Sequence, residues 1–201
     1  MAIILLVVMY GCGIKGTVYV IPGKNLQYQP DLSASAKIQI QPFNEQFSNN
    51  EVVGELLTKS GNYSVNIKKQ MVSKALHEMV SQALVRQDMD FFYGKAWDKS
   101  MASLGQYQAV AQVVVAGRIS KLQLNVEPKL THTVYRVDSE IECVFGLPRE
   151  QKIITRRVLV SQELIKFSTK TEIIEQLLDE VLAEAAKSVA AKTQEVVDNE
   201  L

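Results

Sequence analysis

Two cysteines and two histidines carry the most reactive side chains of this 201-residue chain. Cys12 closes an apolar run, Cys143 sits in an alternating segment, and His77 and His132 are far apart. A structural zinc site takes four nitrogen or sulfur ligands, typically supplied as close pairs. This spacing supplies no such pairs, so neither a metal nor another cofactor is expected. A Cys12–Cys143 disulfide would compete with modification of Cys12 and is not favoured. A general base needs a positioned partner. His77 lies between Leu76 and Glu78 beside an apolar stripe, and His132 between Thr131 and Thr133, and neither has a partner motif. Both read as surface or boundary residues. Cys143 shares parity with Ile141 and Phe145 and reads as a buried apolar filler. Asp138, Glu140 and Glu142 share the other parity with Arg136. Paired carboxylates suit acid–base work, but on a wet sheet face they read as solvated charges, with Arg156 or Lys152 placed to pair across strands. Phosphate-cradling glycine loops, Gly-x-Ser-x-Gly and His-Glu-x-x-His do not occur. The expectation is a protein without catalytic activity.

The most specific signal lies at the N-terminus. Ala2 to Tyr10 reads AIILLVVMY and is followed by Gly11-Cys12-Gly13. A membrane-spanning helix needs about 20 apolar residues, so this run is too short. It fits the core of a signal peptide, which is about 7–15 residues long. Met9-Tyr10-Gly11-Cys12 resembles a lipobox, in which a small residue precedes a cysteine that is acylated and becomes the mature N-terminus. Gly11 matches that pattern. Tyr10 is larger than usual, and no positive charge precedes the apolar core, which points to a start upstream of Met1 or a shortened chain. The competing reading is a buried strand, since the β-branched residues suit one. A lipobox implies an anchor of two or more acyl chains, which is stable where one is not. The resemblance to lipoproteins with no aspartate at the position of Gly13 implies the outer membrane of a Gram-negative cell, with the body facing the periplasm.

Composition narrows the body's partners. Acidic and basic residues number 22 each, so the net charge is zero. Nucleic-acid binding through phosphates normally shows a basic surplus, and an anionic membrane surface attracts polybasic runs. This chain has neither. Its 47% hydrophobic and 22% charged content suits one folded domain.

The elements that must position these residues follow from periodicity. Residues 1–12 form the signal remnant and lipobox, and 13–36, with Pro22, Gly23 and Pro30, read as a tether carrying one short strand at 18–21. A single domain spans 37–197, and 198–201 read as a frayed tail. Lys37 to Phe43 alternates as a strand, and 44–66 reads as a long polar loop broken by a short piece around Val52 to Leu57. Val72, Leu76, Met79, Val80, Ala83 and Leu84 recur at helical spacing over 70–86. Three long strands follow, at 109–126, 133–145 and 152–167, joined by short turns as an antiparallel meander. A helix over 170–197 buries Ile174, Leu177, Leu178, Val181, Leu182, Ala185 and Val189. The fold expected is α+β, in β-α-β-β-β-α order. An antiparallel sheet of about four strands carries two helices on one face and water on the other.

Taken in order, several of these features resemble small outer-membrane lipoproteins of the YajG type and auxiliary lipoproteins of ABC-type envelope transporters. They are Gly11-Cys12, the strand ending in Pro42-Phe43, Val53-Gly54, the Val72–Leu84 helix, Val115-Ala116-Gly117-Arg118-Ile119 and the C-terminal helix. The resemblance implies a non-enzymatic subunit or adaptor of an envelope complex. The alternative is a carrier of a small apolar or lipid ligand in a helix–sheet pocket lined by Phe91, Phe92, Tyr93 and Trp97. If the chain assembles with copies of itself, the C-terminal helix and the sheet edge are the surfaces expected to serve. The lipobox reading predicts that Cys12→Ala releases the folded protein from membranes. Retention of the variant in the membrane fraction, checked by fractionation and circular dichroism, would contradict it.

Overall fold

The structure is a computed structural model, and it describes residues 14–23, 37–46, 52–58, 61–68, 70–168 and 170–200. Three long strands form its spine. They are β7 (Val113–Pro128), β8 (Thr133–Leu147) and β9 (Lys152–Lys166), each following the alternating pattern of its sequence. They pair as an antiparallel meander, Phe145 opposite Val115 and Ile154. Earlier in the chain come β1 (Ile14–Val20), β2 (Ile38–Ile40), β3 (Asn44–Glu45), β4 (Val52–Thr58), β5 (Gly61–Ile67) and β6 (Phe91–Tyr93). The helices are α1 (Met71–Val85), the short α2 (Met101–Leu104) with a 3-10 turn after it at Gly105–Tyr107, and α3 (Thr171–Glu200).

One edge of β7 is taken by β8. The other receives β2, β3 and β4 in succession, all parallel to it. Ile38 lies opposite Val113, Asn44 opposite Arg118 and Gly54 opposite Leu124. β6 extends the sheet beyond β2 in parallel, and the β4–β5 hairpin extends it beyond the other end of β7. β1 closes that side, parallel to β5. The described sheet is therefore mixed, with nine strands.

Helices α1 and α3 cover one face. Residues of one parity on β8 (Tyr135, Val137, Ile141, Cys143, Phe145) are buried beneath them with Leu76, Leu84, Ile174, Leu178 and Val181. The Tyr135 hydroxyl is buried but satisfied. It donates to the Ser168 carbonyl at 2.9 Å and accepts from the Lys170 N–H at 3.3 Å, tying β8 to the start of α3. Phe43 packs on this face against Gly117, where any Cβ would overlap its ring. A second, smaller core sits on the opposite face at one end of the sheet. There Trp97, Leu104 and Ala111 cover Val114, Ala116 and Val144. A Cβ on Gly146 would lie 2.7 Å from Trp97 Cη2, so this segment seats only because glycine leaves the space.

Several expectations are corrected. A sheet of about four antiparallel strands with two helices on one face is replaced by a mixed nine-stranded sheet with three helices, the shortest on the opposite face. The reason is length. β2, β3 and β6 have two or three residues each, too few to show a period, and they exist by pairing to longer neighbours. In the stretch at 44–66 the short piece read around 52–57 is β4, but residues 61–66 after it are a strand and not loop. Tyr63, Val65 and Ile67 alternate with Asn62, Ser64 and Asn66 in β5, so its polar residues are one face of a strand. The short strand placed at 18–21 runs from Ile14 to Val20 inside the sheet. Its end is held to α3, where Glu175 accepts from the Ile21 N–H at 3.2 Å and Asp179 from the Gly23 N–H at 2.6 Å. Helix α3 continues to Glu200, whose carboxylate meets Lys152 at 2.7 Å. The two main helices and the three long strands stand where periodicity placed them.

Leu76 and Leu178 are both fully buried between α1, α3 and the sheet. Leu76→Ala and Leu178→Ala should each destabilise the fold by about 2–5 kcal/mol, from lost burial and the cavity left behind. Urea unfolding checks this, and a change under about 1 kcal/mol would take that helix face out of the core.

Candidate functional site

Two surfaces stand out. The first is a groove of about 620 Å³ between the β2–β3 segment and the start of α1, lined by Pro42, Phe43, Asn44, Ser73, Lys74 and His77. Helix α1 has no cap of its own. Gln70 precedes it with φ at 67°, and its side chain makes no capping bond. Glu45 of β3 supplies the cap from another element, its two oxygens accepting the Gln70 and Ser73 N–H groups at 2.8 Å each. A carboxylate there satisfies two orphan donors and sits at the positive end of the helix dipole. The helix end is thus already neutralised.

His77 lies farther along this groove. Its ring stacks at 4.9 Å from Tyr93 and meets Phe43 edge-on at 6.3 Å. Burial lowers its pKa, with a backbone hydrogen bond at Gln41 opposing, so the ring is neutral at pH 7. Both Glu45 oxygens are spent on backbone donors, so no carboxylate orients His77 as a base would require.

The four aromatic residues proposed to line one pocket lie on two faces of the sheet. β6 alternates, so Phe91 enters the main core and Tyr93 covers α1, its hydroxyl donating to Ser81 Oγ at 3.1 Å. Phe92 points the other way and packs with Trp97 in the small core, where the indole N–H donates to Ser103 Oγ at 2.9 Å. Cys12 lies outside the described residues. Cys143 is buried in the main core, and burial pushes its thiol up to about 12, so it stays protonated and unreactive. His132 sits beside the β7–β8 turn, its Nδ1 3.0 Å from the Thr131 hydroxyl. Among the described residues no cluster of potential metal ligands occurs, and no helix is long and apolar enough to cross a membrane.

The second surface is the uncovered part of the outer sheet face and the edge that ends it. Charges pair across strands there. Arg118 meets its register partner Glu142 at 2.9 Å, and Arg157 reaches Glu140 at 3.1 Å. Asp138 accepts from the Ser161 hydroxyl at 2.6 Å and from Arg136 at 3.1 Å, and these hydrogen bonds hold its carboxyl below the usual range. The pairing partners expected from sequence, Arg156 and Lys152, are engaged elsewhere. Arg156 stands opposite Cys143 on the helix face, and Lys152 holds Glu200. β9 then ends the sheet. Among the described residues only β8 pairs with it, along its full length and without a bulge. Large apolar side chains are exposed on and just beyond it: Leu159 at 69%, Ile165 at 57% and Phe167 at 91%. Glu45 as a cap gave no signal in sequence, because it lies far from the helix it serves. The free edge left a trace, since the last strand of a meander followed by a helix has no later strand to cover it.

No protein-family model matches this sequence, and no curated protein matches it. Solved structures do. A Xanthomonas campestris protein of the DUF330 family superposes with a TM-score of 0.55 at 9% identity, over 94% of this chain and 98% of that one. A putative neuraminyllactose-binding hemagglutinin homolog from Helicobacter pylori superposes with a TM-score of 0.50 at 14% identity, over 90% and 100% of the two chains. At these identities the likeness is one of fold. It runs nearly the full length of all three chains, so the mixed sheet with its helices is an architecture that other bacterial proteins share.

Two predictions follow from the groove. Glu45→Ala should cost about 1 kcal/mol in urea unfolding, as loss of a helix cap does. Stability should also fall as pH drops below about 6.5, because the unfolded chain protonates its histidine there while folded His77 stays neutral to lower pH. The loss levels off once pH passes the lowered folded pKa. His77→Gln should flatten this slope below about pH 6.5, and an unchanged slope would mean that another group carries it.

Proposed function

We propose that this chain is a lipoprotein, held through Cys12 at the periplasmic face of the outer membrane. It acts there as an adaptor or structural subunit of an envelope assembly, in the manner of YajG-type or transporter-auxiliary lipoproteins. The anchor rests on the Met9-Tyr10-Gly11-Cys12 motif. The mode of action rests on one structural observation, the open β9 edge flanked by exposed Leu159, Ile165 and Phe167. An edge strand presents backbone N–H and C=O groups to any extended partner, and neighbouring apolar side chains add contact area. Catalysis and ligand carriage receive less support. Cys143 is a buried thiol, His77 a neutral ring without an orienting carboxylate, and the four aromatics are divided between two faces of the sheet.

A photo-crosslinking residue at Leu159, in cells of the native host, tests this reading. Adducts with envelope proteins are expected, and they should disappear with Cys12→Ala. An absence of adducts from positions 159, 165 and 167 alike would overturn the contact role. Intact mass analysis of the membrane-extracted protein should find a peptide beginning at Cys12 with diacylglyceryl and acyl mass. Trp97 fluorescence should stay constant on titration with detergent monomers, and a saturable shift would revive the carrier reading.

A further inference from the structure

We infer that the β9 edge binds the β9 edge of a second copy of this chain, antiparallel and centred on Val160, joining two sheets into one. The inference builds on the reading of β9 as a contact surface and names its occupant. Among the described residues no strand, bulge or proline blocks the edge, although it carries charges at Lys152, Arg156, Arg157, Glu163 and Lys166. It spans fifteen residues, contains no proline, and pairs with β8 in unbroken register.

Symmetry restricts the pairings. Two identical antiparallel strands are related by a two-fold axis perpendicular to the sheet, which keeps each side chain on its own face. Facing residues must lie on the same face, so only registers centred on a residue are allowed. The outer face of β9 carries Ile153, Thr155, Arg157, Leu159, Ser161, Glu163 and Ile165. Centring on Val160 sets Arg157 against Glu163 twice, once on each side of the axis. The same register puts Ile153 against Phe167, Thr155 against Ile165 and Leu159 against Ser161, so each exposed apolar residue gains a neighbour across the seam. No like charges meet. Centring on Leu159 sets Lys152 against Lys166, and centring on Ser161 sets Arg156 against Lys166. Centring on Val158 leaves Arg157 facing Leu159. Centring on Gln162 sets Leu159 against Ile165, but it leaves Glu163 facing Ser161 and pairs only 158–166 of the strand. Val160 is thus the centre that sets opposite charges face to face twice while giving the apolar residues neighbours.

The test uses the full chain with Cys12→Ser, which removes the acylated thiol, and sedimentation equilibrium at micromolar concentration. A species of twice the 22.5 kDa chain mass is expected. Glu163→Arg and Arg157→Glu should each weaken association about tenfold, because each sets like charges face to face twice, and the double swap should restore it. Circular dichroism checks that the variants fold. Register is read separately: Leu159→Cys chains mixed with Ser161→Cys chains should form a mixed disulfide faster than either forms one with itself. A monomer at all concentrations, single variants that associate like the parent, a double swap without recovery, or mixed disulfides no faster than self-disulfides would each overturn the pairing. A monomer whose position 159 still crosslinks to other envelope proteins in cells would overturn this inference alone and leave the adaptor reading standing.

Discussion

The sheet depends on how the second edge of the strand Val113–Pro128 is satisfied. Its first edge is paired along its length by the following strand. Its residues are largely buried, so unpaired N–H and C=O groups on the other edge would each carry a desolvation cost. Three short segments meet that need, at Ile38–Ile40, Asn44–Glu45 and Gly54–Leu56. The first two are too short to form a strand alone, and the third is the part of β4 that reaches β7. The short two are held because the long strand offers a template, and β5, the strand at 14–20 and the strand at 91–93 then extend the sheet. A register shift between Ile119 and Lys121 keeps the apolar parity facing the helices on both sides of it, from Val113 to Ile119 and from Leu122 to Val126.

This template also seats the first helix. The Asn44–Glu45 pair is fixed on the long strand at Arg118–Ile119, and Glu45 is thereby aimed at the helix start. Strand pairing and helix capping are therefore coupled. Loss of the short pair would free a carboxylate and expose two helix donors at once.

The two faces of the sheet do different work. The helix face is a continuous apolar core in which even Cys143 and Tyr135 serve packing or satisfied hydrogen bonds. The other face is closed at one end by Trp97 and Leu104 and carries paired surface charges elsewhere. Exposed ion pairs contribute at most about 1 kcal/mol each, so they add little stability. They do keep that face polar, and the final strand bounds it with one edge that no described strand pairs.

Periodicity over ten or more residues encoded the helices read at 70–86 and 170–197, the three-strand meander, and the parity that buries Ile141, Cys143 and Phe145. The sequence by itself also carried the Gly11-Cys12 signal, which is local chemistry and needs no fold. The remainder arose from pairings between distant segments. Strands of two or three residues carry no period and acquire their state from a neighbour remote in sequence. Phe91, Phe92, Tyr93 and Trp97 are adjacent in the chain, but a strand sends alternate side chains to opposite faces, and the sheet separates those faces into different cores. Glu45 became a cap, and the last strand an open edge, only once the sheet order was set. Both properties belong to pairings between distant segments, which no local pattern records.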